Sequence, residues 1–140
     1  MPDVVLFACV HNAGRSQMAA AFFGALADPA LARATSAGTE PAERVHEGVV
    51  QVMREVGIDL GDVRPRLLTY ELASEASLLV TMGCGETCPV VPGLRREDWA
   101  VDDPKAQPLD RVRGIRDEIR DRVQRLITTR GWSARGSRTS

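Results

Sequence analysis

The chain has 140 residues, 44% of them hydrophobic, with 18 basic side chains against 19 acidic ones. That supplies the apolar material for one domain with its own core, and a net charge of −1 gives no electrostatic footprint of a nucleic-acid or membrane-surface binder. Three cysteines are too few for a disulfide framework, no leader-like stretch precedes Val4, and no apolar run approaches the ~18 residues of a membrane span, so a cytoplasmic protein is expected.

The run Val4-Val5-Leu6-Phe7-Ala8 has the length and β-branched content of a buried strand, and Gln17 to Leu26, rich in Ala and Met, reads as a helix. Ala34 to Gly38 is a short second strand closed by a glycine. Val45, Val49, Val50 and Met53 then keep a helical apolar period through Val56, with Gly57 placed as a C-cap. Leu67 to Ala73 is a short helix ahead of a strand over Ser77 to Met82. Gly83 to Gly93 holds three glycines, two prolines and two cysteines, the composition of an irregular loop. Trp99-Ala100-Val101 is a last short strand, and the closing helix runs from Leu109 to Thr129 with Val112, Ile115, Ile119, Val123, Leu126 and Ile127 on one stripe. The arginines of that helix are interleaved with Asp117, Glu118 and Asp121, as on a solvated face. The domain is therefore expected over residues 1–130, with 131–140 as a frayed, flexible tail.

Strands alternating with helices at this spacing describe βαβ units: an α/β single domain, with about four parallel strands and helices on both faces. Ligands in such sheets sit at the carboxyl ends of the strands. Cys9, the glycine loop after Met82, and Asp103 all fall there.

The segment Cys9-Val10-His11-Asn12-Ala13-Gly14-Arg15-Ser16 lies between the first strand and the first helix. Such a turn aims backbone N–H groups at one point and adds the positive end of a helix dipole, so it is an oxyanion cradle. Arg15 supplies a planar fork that meets two oxygens of a phosphate-like group. The same field is expected to ionise the Cys9 thiol below the ~8.5 of a free cysteine, and Ser16 can donate a hydrogen bond to the thiolate. Against this stands the inert strand-end cysteine. His11 and Asn12 shape the loop, and Asn12 tolerates unusual backbone angles. Cys84 and Cys88, with three residues between them, would need His11 or His46 to complete a zinc site, and four ligands at usual spacing are not evident, so no metal or other cofactor is expected. His46 reads as a surface or packing residue. Asp103 is open to two roles, an acid at the site or a turn-former with Pro104.

Cys9 to Ser16, Ser36-Ala37-Gly38-Thr39, and Asp102-Asp103-Pro104 ahead of the last helix together resemble the low-molecular-weight protein tyrosine phosphatase superfamily, over nearly the whole chain. Val80-Thr81-Met82-Gly83-Cys84 through Cys88-Pro89, with Trp99 beyond, is similar to the phosphatase-like arsenate reductases of the thioredoxin-coupled type. The resemblance implies that Cys9 attacks arsenate held by the loop amides and Arg15, that Asp103, the aspartate directly before proline, protonates the leaving oxygen, and that Cys84 and Cys88 carry the oxidation away as a disulfide relay. It implies arsenate as substrate, phosphate or sulfate as analogues, and thioredoxin or another thiol reductant as partner. The Cys84–Cys88 interval is shorter than in better-known thioredoxin-coupled members. Ala20 stands where some relatives carry a glutamate of a potassium site, so bound potassium is not expected. The rival readings are an arsenate–mycothiol transferase, a phosphatase, and a non-enzymatic redox sensor.

Overall fold

The computed structural model describes residues 2–83 and 91–134, so Cys84, Gly85 and Cys88 lie outside the described residues. Strands β1 (Asp3–Cys9), β2 (Ala32–Gly38), β3 (Leu78–Thr81) and β4 (Arg95–Asp98) form one sheet in the order β2-β1-β3-β4. Every pairing is parallel. The central strand alternates as a two-sided strand must: Val5, Phe7 and Cys9 join one apolar cluster, Leu6 and Ala8 the other. On the first face pack α1 (Arg15–Leu26), α2 (Glu47–Arg54) and α4 (Leu109–Arg130), through Met18, Phe22, Phe23, Val49, Ile115 and Ile119 among others. The second face is covered by α3 (Tyr70–Ser74), with Ala73 and the preceding Leu68 set against Leu6, Ala8 and Leu79. The expected α/β sheet with helices on both faces is thus the architecture of the chain.

Three elements differ from expectation for physical reasons. The last strand is Arg95–Asp98, not Trp99-Ala100-Val101. Its four charged residues carry no apolar alternation, which suits an edge strand that must not recruit another edge. Trp99 instead closes the strand with its amide on the Thr81 carbonyl (2.8 Å), and its ring lies 5.7 Å from that of Phe7. The helix before β3 starts at Tyr70 rather than Leu67, because the Leu68 amide is bonded to Gly38 O (2.8 Å) and the Thr69 hydroxyl caps the Leu72 amide (3.1 Å). Residues 131–134 are packed onto the domain. Trp132 is buried with its ring 5.8 Å from that of Phe23, and Ser133 bridges Ala27. A large aromatic that fills a core gap fixes the backbone that carries it.

Among the described residues, no helix is long and apolar enough to cross a membrane.

Candidate active site

Register brings the site together. Cys9 ends β1 opposite Gly38, the last residue of β2. A Cβ at Gly38 would stand 2.5 Å from Val10 O and 2.8 Å from Asn12 N, so only glycine lets the loop after Cys9 fold back across the sheet. The loop is then pinned from outside: Thr39 N donates to Cys9 O, Glu40 N to Val10 O, Ala42 N to His11 O and His46 N to Ala13 O (2.7–3.2 Å). These bonds use the loop's carbonyls. Among the described residues, the amides of His11, Ala13 and Gly14 have no acceptor, and α1, with Gly14 as its N-cap, has neither a side-chain cap nor an acidic residue in its first turn. The usual capping groups are absent where an anion would take their place.

Cys9 is buried and unpaired, with Sγ on the loop side. The Asn12 amide donates to Sγ at 3.3 Å, and Ser16 Oγ lies 2.8 Å away. Asn12 Nδ2 donates to Ser16 Oγ at 2.7 Å, so the Ser16 hydroxyl hydrogen is available to a Cys9 thiolate. Asn12 has φ +50, the left-handed backbone that asparagine tolerates better than most side chains.

Arg15 crosses to the third and fourth strand ends. Nη1 donates to Val101 O (2.9 Å), and Nη2 lies 3.8 Å from Asp103 Oδ2. The guanidinium passes so close to Gly83 that a Cβ there would be 2.6 Å from Nη1. Asp103 Oδ1 accepts the Lys105 amide (3.0 Å), a turn-forming bond, while its other oxygen faces Arg15. Pro104 packs against Gly14. Asp102 turns away and pairs with Arg111 of α4. The two aspartates are therefore distinguished by geometry, and Asp103 is the one at the cradle.

Sequence reasoning passed over Gln17 and read His46 only as a surface or packing residue. Gln17, buried one residue past the motif, donates through Nε2 to Asn12 O and to Asn12 Oδ1, both at 3.1 Å. His46 stands at the rim, its ring 3.5 Å from where a Gly14 Cβ would be. Burial holds its imidazole below the ordinary 6.5, opposed by Asp103 and reinforced by Lys105 and His11. A polar residue on the inward face of a first helical turn was the available signal for Gln17; for His46 there was none. Cys84 and Cys88 lie outside the described residues, though Gly83, which leads to them, sits beside Arg15.

The low molecular weight phosphotyrosine protein phosphatase family matches residues 4–132. The chain belongs to this family. It is 41% identical over 127 residues to a protein of Halobacterium salinarum named a putative arsenate reductase, with 86% of this chain and 88% of that one covered. Among solved structures it is similar to a thioredoxin-dependent arsenate reductase of Corynebacterium glutamicum, with TM-score 0.79 and 34% identity over 91% of this chain and 61% of that one. An arginine phosphatase of Geobacillus stearothermophilus is similar at TM-score 0.74 and 26% identity, covering 91% and 92%.

Proposed function

We propose that the chain reduces arsenate to arsenite at Cys9. The observation that carries the reading is the cradle itself: a sulfur 2.8 Å from the Ser16 hydroxyl, loop amides without acceptors among the described residues, and an arginine fork alongside. A tetrahedral oxoanion is what this arrangement of donors suits. Similarity to arsenate reductases over most of the chain supports As(V) as the centre attacked.

Cys9 Sγ attacks the arsenic of an arsenate held by the amides from Val10 to Ser16 and by Arg15. One oxygen leaves as water with a proton from Asp103, and a Cys9 S–As(V) bond forms. The Cys84 thiolate then attacks Cys9 Sγ. The S–S bond forms, the S–As bond breaks, and its electron pair stays on arsenic, which departs as arsenite. Cys88 attacks Cys84, releasing Cys9 as a thiolate and leaving a Cys84–Cys88 disulfide that an external dithiol of the thioredoxin class reduces. This part of the scheme rests on the sequence positions of Cys84 and Cys88 and on the resemblance. It needs the reducing cytoplasm.

Hydrolysis of a phosphoryl compound is the second reading, since the first step is shared and the arginine phosphatase is similar in fold and sequence. A phosphotyrosine substrate wants aromatic walls, whereas Trp99 and Trp132 are both buried in the core.

The test is arsenate-dependent NADPH consumption with thioredoxin and its reductase. The wild type turns over, and Cys9→Ser, Cys84→Ser and Cys88→Ser each abolish turnover. Activity that survives without Cys84 and Cys88 but requires a small thiol overturns the relay in favour of transfer to that thiol. Aryl-phosphate hydrolysis that outpaces arsenate reduction establishes the phosphatase instead, and no turnover with any reductant leaves the sensor.

A further inference from the structure

We infer that Gln17 is a positioning residue that sets the reactivity of Cys9 through Asn12 and Ser16. The inference rests on Cys9 being the nucleophile and on one continuous set of hydrogen bonds. Two donors fix which way the Asn12 carboxamide faces. The Arg66 main-chain amide, which can only donate, reaches Asn12 Oδ1 at 3.0 Å. Gln17 Nε2 reaches Asn12 Oδ1 and Asn12 O, both at 3.1 Å; the carbonyl can only accept, so the Gln17 group facing it is the NH2. With Oδ1 committed to two donors, Nδ2 is the group left for Ser16 Oγ, at 2.7 Å.

The polarity then runs on to the sulfur. With Cys9 ionised as a nucleophile must be, the sulfur can only accept, so Ser16, which receives Asn12 at Oγ, gives its own hydrogen across the 2.8 Å to Cys9 Sγ and stabilises the negative charge there. A carboxamide turned by half a rotation would present Oδ1 to Ser16, capture that hydrogen and leave the sulfur without it. Asn12, Ser16 and Gln17 are all at most 4% exposed, so water cannot substitute for a missing donor inside the set. Gln17 touches neither substrate nor sulfur.

The experiment follows iodoacetamide labelling of the Cys9 peptide by mass spectrometry, in the reduced full chain with no arsenate present, for Gln17→Met, Gln17→Glu, Ser16→Ala and Gln17→Met/Ser16→Ala. Met keeps the length of the stem and removes the donor. Glu keeps the shape and sets an acceptor against two acceptors. Loss of one hydrogen bond's influence predicts labelling slower by roughly two- to tenfold in each Gln17 variant. The double variant is expected to label no more slowly than Ser16→Ala alone, because Gln17 acts only through that hydroxyl. Unchanged labelling in a folded Gln17 variant overturns the inference, as do losses that multiply in the double variant. If neither Gln17 variant folds, as read by thermal unfolding, the residue is structural and the inference fails as well. None of these outcomes depends on whether arsenate is the substrate.

Discussion

Alanine at Gly83 is expected to displace the Arg15 fork at a stability cost that a remote glycine measures separately. Gly83 has φ +88, and its added Cβ would stand 2.6 Å from Arg15 Nη1, 2.9 Å from Nη2 and 3.0 Å from Cζ. These atoms end a long side chain, so the guanidinium moves and the sheet does not. The left-handed backbone by itself costs an L side chain about 1–2 kcal/mol, or about 3–5 °C in Tm for each kcal/mol in a domain of this size. Gly57 has φ +83 with no described heavy atom within 4 Å of its added Cβ, so Gly57→Ala carries the same backbone strain without the clash. Displacing the fork removes a charge-assisted hydrogen bond from the oxoanion, about 1.5–3 kcal/mol. At about 1.36 kcal/mol per decade, that is a roughly 10- to 150-fold fall in kcat/KM for arsenate and a similar weakening of competitive inhibition by phosphate. Thermal unfolding, arsenate turnover and the phosphate inhibition constant are measured on both variants. Matching losses of Tm with an unchanged phosphate constant in Gly83→Ala would refute the reasoning, because the fork would then not depend on the space that glycine leaves.

Other consequences are measurable on the same preparations. Trp132→Ala is expected to lose about 3–5 kcal/mol in urea unfolding, since the ring is buried against Phe23. A tail that merely frayed would show almost no change. Gly114 lies exposed within α4 with no described heavy atom beyond its own helix backbone within 4 Å of an added Cβ, so Gly114→Ala should raise stability by about 0.5–1 kcal/mol, read as a higher Tm. His46 titrates below its ordinary 6.5 in the folded chain because burial disfavours the imidazolium. The unfolded chain therefore takes up that proton first, and the stability linked to His46 is complete above pH 6.5 and declines as pH falls below it. His46→Gln should flatten the fall in unfolding free energy between about pH 7 and 5.5; an equally steep fall would contradict the assignment.

Much of this was legible in the residues, and the reasons for the exceptions are specific. Val4 to Ala8 announce a buried central strand because both of its faces are covered, which removes polar alternation. The segment from Cys9 to Ser16 is readable because its chemistry depends on main-chain amides and on one arginine, both set by local spacing. Arg95 to Asp98 could not be read as a strand, since an edge strand flanked by solvent needs neither apolar residues nor alternation. Trp132 was hidden by its setting after Gly131, among small and basic residues with no periodicity. The choice of Asp103 over Asp102 came from the resemblance, through the proline that follows Asp103, and not from the two identical side chains themselves; in the structure Asp103 faces Arg15 and Asp102 faces Arg111. The Asn12–Arg66 bond spans 54 positions and arises from β2 ending beside the loop, so it is a property of the sheet and not of any motif.

The central claim is that the Cys9 sulfur and a tetrahedral oxoanion share one cradle. Labelling of the Cys9 peptide by iodoacetamide, followed across a phosphate titration, tests it most directly. Protection is expected to be saturable, with a half-point equal to the competitive inhibition constant of phosphate against arsenate, and to be lost in Arg15→Met. Labelling of Cys9 that ignores phosphate at every concentration would contradict it.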